Sequence, residues 1–323
     1  VFGEGGKRVA LPSYPWQRQR HWIAAADLRR AGSGPGARAN RHPLMGEAQA
    51  ISTHAGLCLW ESVPELDQLP WVGDHRVQGR VIMPGAAYLE MALAAGAQLF
   101  RGEPFAVTQV ELVHPRAVDQ DGALTLQLVT NEESSDSLRF QIASRAVNAG
   151  NPTSWTVHAH GLLRRAAGGE APMPGIDHER RAQLAAVSPA EAYAALGQAG
   201  LDYGPALQGV TALWRDDSAA LGQVRLTTAT DMDTAAYQLH PALLDACFQT
   251  VAAAFIDGAA VPNAALILTA VQELRLHLRP GGEVWVHTTL DRSESRPGEF
   301  SGALQLFDDN GQIAVEVKGL RVQ

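Results

Sequence analysis

Residues 84–100 read PGAAYLEMALAAGAQLF and residues 241–256 read PALLDACFQTVAAAFI, and each opens the same succession of elements. Pro84 and Pro241 both suit the first turn of a helix, where a missing N–H costs little. The residues after each proline are nearly all apolar, which predicts two buried helices, to about Phe100 and about Ile256. After the first helix come four runs with strand alternation, 107–115, 123–130, 138–146 and 154–163. After the second come four more, 268–278, 283–290, 302–308 and 312–322. The units correspond in letters, QVEL at 109–112 beside VQEL at 271–274, and HGLL at 160–163 beside KGLR at 318–321. Repetition at this scale indicates duplication. One apolar helix followed by four alternating strands predicts a helix wrapped by an antiparallel sheet. The expected fold class is therefore α+β, two helix-wrapped antiparallel sheets from a duplicated unit.

The join between the units lies in RRAAGGEAPMPG, residues 164–175, rich in Gly, Pro and Ala. The expected division is 42–165 for the first half, 166–184 for a linker and 185–323 for the second half. Residues 1–41 lack helical or strand period: RVALPSYPWQRQRHWI clusters prolines, aromatics and arginines, and AGSGPGARAN is a flexible spacer by composition. The missing initiator Met predicts a piece of a longer polypeptide. Asp309-Asn310-Gly311 predicts a hairpin with a type I′ turn, which also explains the acidic pair Asp308–Asp309 without a metal.

The chain has 323 residues, 46% hydrophobic and 19% charged, with a net charge of −8. An acidic chain without a Lys/Arg stripe does not neutralise phosphates, which argues against nucleic acid. The longest apolar stretch carries Glu90 and is too short for a membrane span. The start, VFGEGGKRVALP, lacks the basic and apolar regions of a signal peptide. Only Cys58 and Cys247 occur, far apart, which fits a reducing, cytoplasmic setting.

Two runs carry chemistry. In DHRVQGRVIMPG (74–85), His75 is followed by Gly79, Pro84 and the first helix; in HPALLDACFQ (240–249), Asp245 and Gln249 sit in the second. An imidazole and a carboxyl, one in each half, can act as a paired base and acid. Gly79 permits close backbone approach to a ligand, and the helix start offers free N–H groups to a carbonyl oxygen. Asp245 lies among apolar neighbours, and burial favours a protonated carboxyl, a general acid. Gln249, four residues on, shares its helix face and orients it; Cys247 points off that face and reads as packing. GLDYGPALQG (200–209) holds a Gly204-Pro205 turn and Tyr203, whose hydroxyl reaches Asp245 or the substrate if the loop faces the cleft. His158 and His160 alternate along a strand without a third metal ligand at suitable spacing. GEGGKR (3–8) and GSGPGA (32–37) fail as phosphate loops.

Together these residues resemble the dehydratase domain of modular (type I) polyketide synthases over about residues 42–323. HPLMG at 42–46 is similar to the family's opening motif, His75-x-x-x-Gly79-x-x-x-x-Pro84 to its histidine motif, DYGPALQG at 202–209 to its Tyr-Gly-Pro motif, and Asp245-x-x-x-Gln249 to its aspartate motif. LPSYPWQRQRHWI resembles the tail that follows an acyltransferase, which makes 1–41 a linker tail. The resemblance implies a double hot-dog fold. It implies elimination of water from a 3-hydroxyacyl thioester delivered on the phosphopantetheine arm of acyl carrier protein, with no bound cofactor or metal. His75 would take the C2 proton, Asp245 would protonate the leaving C3 hydroxyl, and the Gly79 N–H or a helix-start N–H would polarise the carbonyl. Gly204, Pro205 and Leu207 would line the substrate tunnel, Leu207 standing where the family places an aromatic. Carrier protein and neighbouring synthase domains are the implied partners, together with a homodimer. Arg275 and Arg279 are the candidates for carrier docking. Two other readings compete: a dehydratase that also closes a cyclic ether, and a catalytically silent domain that binds carrier or serves architecture.

Overall fold

The computed structural model describes residues 42–118, 123–147, 154–166, 182–216, 218–227, 231–253, 266–291 and 300–323. The expected 1–41 tail, most of the 166–184 linker and the second helix beyond Ala253 lie outside them. In the first half, β1 (Ala48–Ala50) and β2 (Cys58–Ser62) lead to helix α1 (Pro70–Gly73) and a hairpin of β3 (His75–Val77) and β4 (Arg80–Val81). Helix α2 (Gly85–Phe100) follows, then β5 (Phe105–Leu112), β6 (Leu124–Ser134), β7 (Ser137–Ala146) and β8 (Thr156–Arg165). The second half opens with β9 (Ala185–Val187), α3 (Pro189–Gln198), β10 (Leu201–Tyr203), β11 (Val210–Arg215) and β12 (Ala219–Arg225). Helix α4 (Pro241–Ala253) then precedes β13 (Leu268–Leu276), β14 (Glu283–Asp291), β15 (Phe300–Phe307) and β16 (Ile313–Val322). The two helices and eight strands expected from periodicity are all present.

The four strands after each long helix take the same lateral order, β5-β8-β7-β6 in one half and β13-β16-β15-β14 in the other. The duplication seen in letters is therefore a duplication in topology. The two sheets are not separate. β5 and β13 pair antiparallel, Val107 opposite Leu274 and Val110 opposite Val271, so the halves share one 13-stranded sheet.

Both long helices are swallowed by this sheet. On α2, Ala86, Ala87, Leu89, Met91, Ala92, Leu93 and Ala95 are at most 1% exposed, and each buried Leu or Met contributes about 1.5–3 kcal/mol. Small residues on several faces let the helix sit close to strands on one side and to α4 on another. One residue breaks the apolar pattern: Glu90, fully buried. Its carboxylate accepts the backbone N–H of Gln238 (2.7 Å) and of Leu239 (2.9 Å), just ahead of α4, and the Nε2–H of His42 (3.2 Å). The Nδ1 of His42 accepts the Leu44 N–H (3.2 Å), which leaves Nε2 to carry the proton that Glu90 receives. The opening HPLMG motif and the entry of α4 are thus tied to one carboxyl on α2. Burial pushes the Glu90 pKa up, against the lowering pull of His42 and the two amides.

Two turns differ from their sequence reading. Asn310 is not in the positive-φ region; only Gly311 is (φ 77°), and the Asp308 carboxylate accepts the N–H groups of Asn310 and Gln312 (3.0 and 2.7 Å). This is a three-residue hairpin loop built on an acidic side chain, not a type I′ turn. The two-residue loop with both central residues at positive φ lies between β3 and β4, at Gln78 (50°) and Gly79 (76°). A methyl on Gly79 would meet nothing within 4 Å, so backbone conformation alone asks for glycine there.

Candidate active site

The site is assembled by a second, three-stranded sheet of order β10-β3-β4. Here a strand of the second half pairs with the histidine strand of the first, Tyr203 opposite His75 and Leu201 opposite Val77. The pairing continues past the strand ends. Gly204 N–H donates to the Asp74 carbonyl (2.8 Å), Ala206 N–H to Asp74 Oδ2 (2.7 Å), and Gln78 N–H to the Gly200 carbonyl (2.7 Å). Gly204 is required by proximity: a Cβ there would lie 2.3 Å from the Asp74 carboxyl. Asp74 was legible only as the neighbour of His75; its role as the anchor of the Tyr-Gly-Pro loop was not.

His75 is buried, and its Nδ1 lies 2.8 Å from the Ile82 carbonyl. A carbonyl only accepts, so Nδ1 carries the hydrogen and Nε2 presents a bare lone pair. That lone pair faces Asp245 of the other half, Nε2 to Oδ1 3.9 Å. The gap is too long for a hydrogen bond and leaves the two groups poised beside one another. Asp245 is buried, and burial pushes its pKa up; the His75 ring and the Gln249 amide pull the other way. The same burial raises the Cys247 thiol far above its ordinary range and leaves it inert, which agrees with its reading as packing.

Gln249 donates Nε2–H to Asp245 Oδ2 (3.1 Å), as the four-residue spacing predicted, and also to the Leu207 carbonyl (3.1 Å). Its Oε1 accepts from the Tyr193 hydroxyl (3.0 Å), which in turn accepts the Val210 N–H (3.0 Å). Tyr193, on α3, was missed by sequence reasoning. Its signal, one tyrosine in a short Ala-rich helix, is indistinguishable from core packing.

Tyr203 stands where expected, its ring edge-on to His75 (centroids 5.7 Å) and to Tyr193 (6.4 Å). Its hydroxyl makes no hydrogen bond to Asp245, whose described side-chain donor is Gln249. The residues expected along a tunnel form a turn beside the site. Gly204 and Leu207 close a turn, Leu207 N–H to the Gly204 carbonyl (3.0 Å), with Pro205 exposed at its corner. Leu207 is fully buried and serves the site through its carbonyl. Gly79 lies at the tip of the β3–β4 hairpin, four residues along the chain from His75, at most about 13 Å at about 3.3 Å per residue. Pro84, directly before α2, is an N-cap rather than a first helical residue, and no side chain caps that helix start.

Other candidates resolve locally. His158 is tied to Ser144 (2.7 Å) and the His114 carbonyl (2.8 Å), and His160 faces Glu111 at 3.6 Å. Arg275 is paired with Glu273 at 3.1 Å, whereas Arg279 is exposed and donates to Gln238 (3.0 Å) beside the α4 entry. Tyr88 stands four residues after Pro84 as Asp245 stands four after Pro241. The duplicated unit therefore carries an acid in one copy and a buried tyrosine in the other.

A family model described as "Polyketide synthase dehydratase domain" matches residues 42–145, and one described as "Polyketide synthase dehydratase N-terminal domain" matches residues 171–323. The chain belongs to the polyketide synthase dehydratase domains. Polyketide synthase GfsE of Streptomyces halstedii is 33% identical over 301 residues, which is 87% of this chain and 8% of that protein's length. This dehydratase domain thus spans a small part of the curated relatives it matches. Among solved structures, the dehydratase domain from the CurF module of curacin polyketide synthase superposes with a TM-score of 0.79 at 28% identity, covering 88% of this chain and 99% of that one. The CurK dehydratase domain superposes with a TM-score of 0.78 at 26% identity, over 87% and 98% of the two chains. It has also been solved as two inactive mutants, one Asp→Asn and one His→Phe. The dehydratase domain described here has their double hot-dog fold.

Proposed function

We propose that this domain eliminates water from a 3-hydroxyacyl thioester held on the phosphopantetheine arm of an acyl carrier protein. The observation that carries the reading is the buried dyad: a bare His75 Nε2 facing Asp245 Oδ1 at 3.9 Å, with the His75 tautomer set by the Ile82 carbonyl. Nε2 takes the proton from C2, and the C–H electron pair becomes the C2–C3 double bond. The C3–O bond breaks as Asp245 Oδ1 gives its proton to the departing hydroxyl. Negative charge gathers on the thioester oxygen as the C2 proton leaves, and a donor placed there stabilises it. With Gly79 at the hairpin tip, that donor is the free N–H at the start of α2, at Gly85. The inactive histidine and aspartate mutants of the CurK domain support the same two residue types as essential.

The test is a mass-spectrometric assay of the chain with carrier-bound 3-hydroxyacyl substrates, one of which bears a second hydroxyl within reach of C3. The expected product is the linear α,β-unsaturated thioester with that hydroxyl free. Enzyme-dependent formation of a single cyclic ether stereoisomer would replace plain dehydration with dehydration and ring closure. No loss of water from any substrate would favour the silent-domain reading.

Carrier docking falls to Arg279, because Arg275 is occupied by Glu273. Both the carrier class and this domain are acidic, so a local cation has to do what long-range attraction does not. Arg279→Glu is expected to slow turnover of carrier-bound substrate several-fold and leave a small thioester mimic nearly unaffected. Equal slowing of both would remove Arg279 from docking.

A further inference from the structure

Asp245 has two oxygens, and only one of them faces His75. Oδ1 is the oxygen 3.9 Å from Nε2, while Oδ2 is bonded to Gln249. A proton on Oδ1 is available for transfer; a proton on Oδ2 points into the protein. Which oxygen carries it depends on what Gln249 offers. An amide N–H on Oδ2 makes that oxygen an acceptor and leaves the proton to Oδ1. An amide oxygen in the same place would draw the proton onto Oδ2 and hold it there.

The two ends of a glutamine amide are similar in shape, so its orientation is set by neighbours. Leu207 supplies an acceptor at 3.1 Å, which suits the NH2 end. The other end is set by Tyr193. Its hydroxyl already accepts the Val210 N–H, so its own hydrogen is free to go to Gln249 Oε1 at 3.0 Å. Gln249 is 3% exposed, so no bulk water substitutes for that donor. Without the hydroxyl, Oε1 is a buried acceptor lacking a partner, which is costly. The donor that a half-turn of the amide would bring within reach is the Asp245 proton itself.

We infer that Tyr193 is a positioning residue for the dehydration: it fixes the orientation of the Gln249 amide and thereby keeps the transferable proton of Asp245 on the oxygen that faces the substrate. The inference rests on the dehydratase reading and deepens it. The relay runs from Tyr193 on α3 to Gln249 and Asp245 on α4.

The test is a double-mutant cycle in the full chain, with Tyr193→Phe, Gln249→Ala and the pair, read as kcat and KM on a carrier-bound 3-hydroxyacyl substrate and as pH–rate profiles. Tyr193→Phe retains the ring and its packing against Tyr203. It is expected to lower kcat about tenfold with KM within about twofold, an orientation effect on general acid catalysis. In the Gln249→Ala background the same change is expected to do nothing further, because Tyr193 acts through Gln249. Both single variants lose the amide's stabilisation of the Asp245 carboxylate, so the alkaline limb of the profile should move to higher pH in each. If the two kcat effects multiply, or if Tyr193→Phe lowers only thermal stability and leaves kcat and the profile unchanged, the inference fails while the dehydratase reading stands. A parent chain that dehydrates no substrate would bring both down.

Discussion

His75→Ala and Asp245→Ala are each expected to lower the proposed dehydration rate about a thousandfold, within the range that a positioned acid or base contributes, with the chain still folded. Neither side chain holds much of the architecture: His75 bonds one carbonyl, of Ile82, and Asp245 one amide, of Gln249. Turnover within about tenfold of the parent in either variant would refute the dyad. The parent's rate is expected to be bell-shaped in pH, with apparent pKa values that belong to the coupled pair and not to either residue. Asp245→Asn separates chemistry from stability. Burial raises the folded-state pKa of Asp245, so the folded chain prefers the neutral carboxyl. The group's contribution to stability is fully present below the ordinary carboxylate pKa and is lost as pH rises through the raised folded value. The asparagine escapes that loss. Its thermal midpoint relative to the parent should therefore climb with pH across that window, in an inactive protein. A difference that is flat in pH would mean that the carboxyl is not held as a neutral acid.

Glu90→Ala is expected to be the most damaging single change to the fold, lowering the unfolding free energy by about 3–5 kcal/mol as buried polar partners are stranded. It leaves the N–H groups of Gln238 and Leu239 without their acceptor and His42 without its partner, Leu239 buried and the other two half-buried. Glu90→Gln should recover part of the loss, since one amide oxygen can still accept. Denaturant unfolding of the three proteins measures this directly. An alanine variant within about 1 kcal/mol of the parent would show that water or rearrangement satisfies those groups. The consequence for function is geometric. α2 follows the His75 hairpin and α4 carries Asp245, so the Glu90 contacts tie the entry of the Asp245 helix to the helix that follows His75.

Much of this was readable in one dimension. His75 stood out because Gly79, Pro84 and a buried helix follow it, Asp245 because a polar residue in an apolar helix is conspicuous, and the four-residue spacing placed Gln249 on the carboxyl. Glu90 stood out equally, yet was read only as an obstacle to a membrane span, because its partners are backbone amides about 150 residues away (238 − 90 = 148). Main-chain donors are present at every position and leave no mark in the letters. Gly79 was read as a glycine that lets backbone approach a ligand, and its φ of 76° at a hairpin turn is a separate reason for glycine there. The sequence shows that glycine is needed but not for which reason. Pro205 and Leu207 were assigned to a tunnel wall; what the letters did not show is that Pro205 is the exposed corner of a turn and that the Leu207 carbonyl accepts from Gln249.

The sequence by itself determined two units of one buried helix and four strands, because side-chain periodicity is a local record of which faces are buried. It also singled out His75 and Asp245 as the candidate base and acid, and Gln249 as the partner of that carboxyl, because residue type carries the chemistry and the helical repeat sets the spacing of Asp245 and Gln249. Only the tertiary structure decided that the two sheets join edge to edge through Val107–Val110 and Val271–Leu274, and that β10 crosses to lie against β3 with Tyr203 opposite His75. Both pairings are made by backbone hydrogen bonds between distant segments, and those bonds are blind to side-chain identity. The facing of Nε2 and Oδ1, the anchoring by Asp74 and the Tyr193–Gln249 relay all depend on those two pairings and the helix contacts they enforce.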